Sequence, residues 1–189
     1  MRILRGVLAG RRAPSNSAYA SPHLALFSRA LQILAHPELV SLQKLSAPDS
    51  GIVEMRMERP EARNAIGKEM LQGLQSAIEK VEADATANVV LVASSVPKVF
   101  CAGADLKERR LMGPKEVREF VNSLRSTFSS FEALSIPTIA VIEGAAFGGG
   151  LELALSCDLR ICGENATFSL PETGLAIIPG YVSKMALYF

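Results

Sequence analysis

The sequence of 189 residues contains no tryptophan and only two histidines, His23 and His36, which both lie in its first 37 residues. A domain formed by the rest of the chain therefore lacks histidine. This excludes a Ser-His-Asp or Cys-His mechanism and a histidine-based metal site. Any general acid or base must then be Glu, Asp, Lys, Tyr or Cys, and attention moves to the carboxylates.

Cysteines and long apolar runs are also scarce. Cys101, Cys157 and Cys162 form no CxxC pair, which favours reduced thiols over disulfides or metal ligands. No apolar run reaches the length of a membrane span, so no membrane helix is expected. A content of 49% hydrophobic and 21% charged residues is typical of one folded globular domain.

Acidic residues are absent from the first 37 residues, which hold five arginines and no lysine. This composition is typical of a mitochondrial or plastid transit peptide, so residues 1–37 are interpreted as a leader, with a disordered N-terminus as the alternative. A secretory signal is disfavoured because Arg5 interrupts the short apolar stretch 3–9. The remaining residues carry a net charge of −4, which gives no electrostatic case for nucleic-acid binding.

The apolar periodicity indicates strands that alternate with helices. Such alternation predicts an α/β fold whose strands are largely parallel. The predicted strands are residues 51–58, 88–93, 138–142, 159–162 and 166–169, and the predicted helices are residues 68–83, 114–131 and 150 to about 158.

Two glycine-containing loops follow predicted strands. Residues 102–105 read AGAD, and residues 148–150 are three glycines that lead into a helix carrying Glu152. Ligands of α/β folds gather beyond the carboxyl ends of the strands, so N–H groups of both loops could face one oxygen atom. A second carboxylate, Glu172, follows. The alternative is a glycine turn that only packs helix against strand and leaves Glu152 in solvent.

Five segments together resemble the enoyl-CoA hydratase/isomerase (crotonase) superfamily in order and approximate spacing. The resemblance covers roughly residues 50–180. The amino-acid sequence of residues 102–109 is similar to that of mitochondrial hydratases of the methylglutaconyl-CoA hydratase group. The five segments are RPEARNA (59–65), FCAGADLKE (100–108), GGGLELA (148–154), CDLR (157–160) and LPETGLAIIPG (170–180).

This resemblance implies a crotonase-like ββα spiral core that binds an acyl-CoA thioester. The N–H groups of Ala104 and Gly149 would form an oxyanion hole, and Glu152 and Glu172 would be the catalytic carboxylates. Asp105 is also interpreted as a cap of the following turn. No metal and no separate cofactor are implied, because coenzyme A is part of the substrate. The residues expected near the coenzyme are Arg63, Ala65, Ala102, Asp105, Leu106 and Lys107.

After Gly180 the sequence departs from the family pattern. We therefore expect a core at residues 38–180 that lacks the C-terminal helical trimerisation region, and a divergent tail at 181–189. The family implies a homotrimer or hexamer, and the tail argues against it here. The alternatives are an isomerase, or a truncated isoform that binds CoA or modulates full-length subunits.

Two further expectations concern partners and location. RNA binding is disfavoured because the predicted helix 68–83 holds only Lys68 and Lys80 against three glutamates. The mitochondrial matrix is preferred over the plastid or the peroxisome as the location.

Overall fold

The computed structural model describes residues 38–175. The predicted leader (1–37), residues 176–180 of the predicted core and the predicted tail (181–189) lie outside the described residues. The strands are β1 (Val40–Lys44), β2 (Ile52–Met57), β3 (Val89–Ser94), β4 (Val99–Cys101), β5 (Thr138–Ile142), β6 (Ala145–Phe147), β7 (Leu159–Cys162) and β8 (Thr167–Ser169). The α-helices are α1 (Lys68–Glu82), α2 (Leu106–Arg109), α3 (Pro114–Glu132) and α4 (Gly149–Leu155), and 3₁₀ turns occupy Pro60–Ala62 and Pro171–Leu175.

The strands form two sheets. The larger sheet has the order β1-β2-β3-β5-β7, and the smaller one has the order β4-β6-β8. Every pair is parallel except β1 with β2, so the prediction of a largely parallel α/β fold is confirmed. Parallel pairing aligns the carboxyl ends of neighbouring strands, and it places the loops after β4 and β6 side by side.

The hydrophobic core joins side chains of both sheets, of the two long helices and of α4. In β2, Val53, Met55 and Met57 are buried while the alternate residues are half-buried, as the period of a strand requires. The apolar faces of α1 and α3 are buried, and Gln75 joins the helices by donating to Ser123 Oγ at 3.0 Å and Thr127 Oγ1 at 2.9 Å. Among the described residues, no helix is long and apolar enough to cross a bilayer.

Some sequence-based boundaries differ from the structure. The helix expected to reach about residue 158 ends at Leu155. Ser156 is its C-cap, and Asp158 is already outside it, accepting hydrogen bonds from the N–H and the hydroxyl of Thr138, both at 2.8 Å. The elements β1, β4, β6 and α2 were not predicted. The last three contain three or four residues each, which is too short for a periodic pattern.

Two of the three cysteines are buried free thiols, as the sequence predicted. All three are free; Cys101 and Cys157 are buried, and Cys162 is exposed. Burial raises the pKa of the Cys101 and Cys157 thiols to about 12. Neither buried thiol is therefore a nucleophile at neutral pH.

Asn64 ties together the ends of β2, β3 and β4. Its side chain is fully buried and its backbone adopts a φ of 55°, in the left-handed region. The amide donates to Ser94 Oγ at 2.8 Å and to Phe100 O at 3.0 Å, while Oδ1 accepts from the N–H of Arg59 at 2.7 Å. An asparagine suits this position because it tolerates the left-handed conformation and satisfies buried groups on three chain segments.

We predict that Asn64→Ala lowers the free energy of unfolding by about 2–4 kcal/mol. Each buried group left without a partner costs roughly 1–3 kcal/mol, and alanine is strained in the left-handed region by about 1–2 kcal/mol. Chemical denaturation would measure the change. The matched control is Asn122→Ala on the exposed side of α3, which should stay within about 0.5 kcal/mol of the unsubstituted protein. Equal effects of the two substitutions would contradict the role of Asn64.

Candidate active site

The candidate site lies where the loops after β4 and β6 meet. Residues 102–105 follow β4, and Gly148 follows β6 directly. The predicted strand 138–142 is β5 of the larger sheet, and the glycine turn follows the short β6 of the smaller sheet. Since β4 and β6 are parallel neighbours, both loops leave the same sheet edge.

The N–H of Ala104 is oriented by the peptide bond to which it belongs. The carbonyl of Gly103 accepts a hydrogen bond from the N–H of Ile66 at 2.7 Å. In a planar trans peptide the C=O and the following N–H point in opposite directions, so the N–H of Ala104 points away from Ile66. A second hydrogen bond joins the loop to Ile66: the N–H of Asp105 donates to Ile66 O at 3.0 Å. The bridge between Ile66 and Ala104 therefore does not use the N–H of Ala104.

The N–H of Gly149 is oriented in the same manner. The carbonyl of Gly148 accepts from the N–H of Glu152 at 3.0 Å, so the N–H of Gly149 points out of the beginning of α4. As the first residue of the helix, Gly149 has no carbonyl within the helix to which it could donate. The turn before it needs glycine, because Gly148 has a φ of 49° and a ψ of −125°.

These two backbone nitrogen atoms lie close together. A Cβ atom on Gly149 would lie 3.7 Å from Ala104 N and 3.7 Å from Glu152 Oε2. A Cβ atom on Gly103, which has a φ of 90°, would lie 3.3 Å from Gly149 N. The structure therefore brings the predicted donors and the carboxylate of Glu152 around one point at Gly149.

Both predicted carboxylates border this point. Glu152 is 4% exposed, so the alternative that leaves it in solvent is wrong. Glu172 stands in the 3₁₀ turn Pro171–Leu175, and a Cβ atom on Gly148 would overlap its Oε1. Among the described residues, Glu172 Oε2 is the one buried side-chain oxygen or nitrogen without a hydrogen-bond partner. An atom of this kind is a natural site for a proton or a ligand group.

A cavity of about 430 Å³ is lined by residues of the segment 59–65 and by residues 105–107. It is open and carries three cationic side chains, those of Arg59, Arg63 and Lys107. Ala102 does not line it; its N–H instead donates to Arg63 O at 3.1 Å and fixes the loop. The other residues predicted to lie near coenzyme A all line the cavity, namely Arg63, Ala65, Asp105, Leu106 and Lys107.

Asp105 caps the short helix α2, as the sequence analysis predicted. Its Oδ1 accepts from the N–H groups of Lys107 at 3.0 Å and Glu108 at 3.1 Å, and its Oδ2 lies 2.9 Å from Arg59 Nη1. Burial by itself would raise the pKa of Asp105, but these N–H donors and the guanidinium outweigh burial and lower it. The carboxylate is therefore ionised at neutral pH.

Arg59 and Asn64 are structural members of the site that sequence reasoning missed. Both stand in the segment 59–65, of which only Arg63 and Ala65 were singled out. The sequence offered one signal for this segment, the Arg-Pro pair that ends β2. It did not indicate the contacts of Arg59 and Asn64, because these reach residues about 30 to 46 positions away. Among residues 38–175, no group of three or more His, Cys, Asp or Glu side chains is placed to hold a metal ion.

The chain belongs to the enoyl-CoA hydratase/isomerase family, whose profile matches residues 48–188. It is 67% identical over 144 residues to an Arabidopsis thaliana protein named "Probable enoyl-CoA hydratase 2, mitochondrial", a match that covers 76% of this chain and 48% of that protein. It is 44% identical over 139 residues to the mouse protein "Methylglutaconyl-CoA hydratase, mitochondrial", covering 74% of this chain and 44% of that one.

The fold is that of the crotonase family. The crystal structure of an enoyl-CoA hydratase from Bacillus anthracis matches with a TM-score of 0.73 and 38% identity, over 79% of this chain and 57% of that chain. The resemblance drawn from the sequence motifs is thus confirmed, as is the predicted fold class. The chain spans about half the length of the curated relatives it matches.

We predict that two adjacent glycines differ in their tolerance of a methyl group. A Cβ atom on Gly150 would overlap Cys101 O and lie 2.7 Å from Cys101 Cβ, so Gly150→Ala should destabilise the protein by about 1–3 kcal/mol. Gly149→Ala meets only ordinary contacts and should change the free energy of unfolding by less than about 0.5 kcal/mol. Denaturant titration compares them, with Gly113→Ala, which has no atom within 4 Å, as control. A destabilised Gly149→Ala protein would refute the geometry.

Proposed function

We propose that this chain adds water across the double bond of a 2-enoyl-CoA thioester. One observation carries the proposal: two oriented N–H donors and two carboxylates meet at Gly148 and Gly149, and one carboxylate oxygen there is buried without a partner. The family membership and the hydratase names of the relatives support it. In this arrangement the chemistry is carried by backbone donors and glutamates alone.

The N–H groups of Ala104 and Gly149 bind the thioester carbonyl oxygen in this proposal. Addition of water to the β-carbon pushes electrons toward that oxygen, which becomes enolate-like and gains negative charge. Donors that are already aimed at the oxygen stabilise this charge without reorganising. Loss of one such donor typically slows an enzyme about 10²–10³-fold.

The two glutamates divide the proton transfers. Glu152 holds the water molecule and takes one of its protons while the water oxygen bonds to the β-carbon. Glu172 then gives a proton to the α-carbon, so that one molecule of water has been added across the double bond. Exchange with solvent returns Glu152 to its ionised form and Glu172 to its protonated form. Each role is the one that the family resemblance implies.

The cavity beside α2 accepts the coenzyme portion of the substrate in this proposal. Arg63 and Lys107 supply positive charge where phosphate groups would lie, and Ala65, Asp105 and Leu106 complete the wall. Leu106 is 62% exposed, so it offers an apolar surface without being part of the core. Ala102 acts through the loop that carries Arg63.

A second candidate function is non-catalytic: the chain binds CoA without turnover, or it modulates full-length subunits. The observation that favours it is the cavity, because its lining residues lie at 59–107 and do not include Glu152 or Glu172. An isomerase, which shifts the double bond through one carboxylate, is the related alternative. The presence of two carboxylates at Gly148 and Gly149 favours the hydratase.

Location and assembly are also part of the proposal. The word mitochondrial in the names of the relatives, together with the arginine-rich leader composition, supports import into the mitochondrion. Peroxisome or plastid remain the alternatives. A trimer or hexamer like that of the family would be measured by size-exclusion chromatography with light scattering.

We predict that Glu172→Gln slows hydration about 10²–10⁴-fold, the range of a lost general acid, while leaving the fold intact. The measurement is the loss of enoyl-thioester absorbance with a short or branched 2-enoyl-CoA. The control is Glu164→Gln, an exposed glutamate in the turn before β8 that should keep full activity. Unchanged turnover in Glu172→Gln would refute the role of this residue.

The same assay separates the candidate functions. Conversion of a 3-enoyl-CoA with a rise in absorbance, without hydration of the 2-enoyl-CoA, would establish the isomerase. Calorimetric binding of CoA by a chain that turns over neither substrate would establish the non-catalytic candidate.

We predict a second loss of activity, by Gly149→Ala. Its methyl group would occupy the space between Ala104 N and Glu152 Oε2, where the carbonyl oxygen must enter. Hydration should fall at least about 10²-fold, as for a lost oxyanion donor. Gly113→Ala serves as the matched control. Full activity of Gly149→Ala would show that the carbonyl oxygen binds elsewhere.

A further inference from the structure

Arg59 takes no part in the proposed chemistry, yet its side chain is only 20% exposed and its guanidinium has three polar contacts. Nη1 donates to Ala65 O at 2.8 Å and lies 2.9 Å from Asp105 Oδ2, while Nε donates to Glu61 Oε1 at 3.3 Å. Gly67 lies beside the same group, since a Cβ atom built on it would be 3.3 Å from Nη1. The contact with Ala65 O is the first link of a longer chain.

The second link is the peptide unit between Ala65 and Ile66. Its carbonyl accepts from Arg59, and its N–H donates to Gly103 O at 2.7 Å, at the short end of the range for such bonds. Because a trans peptide holds its C=O and N–H in opposite directions, this unit connects the guanidinium on one side with the loop after β4 on the other.

The third link is the peptide unit between Gly103 and Ala104. Its carbonyl is the acceptor of the Ile66 bond, and its N–H is the donor assigned above to the thioester oxygen. Gly103 has a φ of 90°, a conformation that glycine adopts readily. The orientation of this unit is held by the hydrogen bond from Ile66 N–H, and the next N–H along the chain, that of Asp105, binds Ile66 O.

We propose that Arg59 is a positioning residue of the oxyanion site, acting on the Ala104 N–H through the peptide units 65–66 and 103–104. Hydrogen bonds in series polarise one another, and a cation at the donor end makes each following N–H a stronger donor. The inference rests on the proposed function, because it takes Ala104 N–H to be the donor to the thioester oxygen.

The charge of Asp105 gives Arg59 a second effect on the same site. This ionised carboxylate belongs to the residue after Ala104, and a negative charge there opposes charge growth on the thioester oxygen. The guanidinium at 2.9 Å offsets it. Neutralising Arg59 would leave the carboxylate uncompensated and would weaken the relay of hydrogen bonds at the same time.

The test begins with the free protein and needs no substrate. In Arg59→Met, the amide-proton resonances of Ile66 and Ala104 should move upfield, because both N–H groups become weaker donors. Arg59→Lys should return them toward their original positions, since an ammonium group can donate to Ala65 O. The control is Arg118→Met, an exposed arginine of α3, which should leave them in place. Unchanged resonances in Arg59→Met would overturn the proposal.

The second measurement uses a bound enoyl-CoA thioester with a ¹³C-labelled carbonyl. Infrared spectra of the thioester bound to the unsubstituted protein should show a C=O stretching frequency below that of the free thioester. In Arg59→Met this frequency should rise part of the way back to the free value. We expect kcat to fall about tenfold with KM largely unchanged, a smaller loss than the 10²–10³-fold of a deleted donor. A raised KM with unchanged kcat and carbonyl frequency would assign Arg59 to substrate binding and overturn the proposal.

The two measurements separate this inference from the proposed function. A carbonyl frequency that the unsubstituted protein does not lower would overturn the oxyanion site itself, whereas the amide resonances decide the relay without substrate. If Arg59→Met fails to fold, Arg59→Gln removes the charge and keeps a side-chain amide donor. Its Ala104 resonance should still move upfield, and an unchanged position would overturn the proposed polarisation.

Discussion

The buried amide of Asn64 is the interaction on which the site depends. Three strands end around it, and its amide supplies a donor to Ser94 Oγ and to Phe100 O in this buried region. By holding the N–H of Arg59 on one side and Phe100 O on the other, it keeps the segment 59–66 against the loop after β4. Ile66, whose N–H orients the peptide unit of Ala104, follows Asn64 by two residues, so its position depends on the contacts of Asn64.

The geometry of the site comes from backbone atoms more than from side chains. Each of the two N–H donors is fixed by a hydrogen bond to the carbonyl of its own peptide unit, from Ile66 in one loop and from Glu152 in the other. Glycine is needed before both donors because Gly103 and Gly148 adopt positive φ, and Gly150 is needed because it lies against the backbone of β4. Side chains enter chiefly as the two glutamates.

Much of the fold could be predicted from the sequence, because long periodic segments carry their own signal. The helix expected at 68–83 is observed at Lys68–Glu82, and the one at 114–131 at Pro114–Glu132. The short β6 and α2 could not be found this way, since a few residues show no period. The motifs that resemble the family indicated Ala104, Gly149 and both glutamates. Arg59 and Asn64 escaped because their importance lies in contacts with distant residues, which a one-dimensional pattern does not contain.

The bond between Ile66 and Gly103 joins residues that are far apart along the chain, with the whole of α1 and β3 between them. Helices form from local contacts and gain stability early, whereas such a bond must wait until a long loop has closed. A chain that had collapsed with its helices intact, but without β4 docked, would therefore have normal helical content and no aligned donor. In this molecule, the orientation of the Ala104 N–H therefore reports that folding is complete, whereas helical content alone does not.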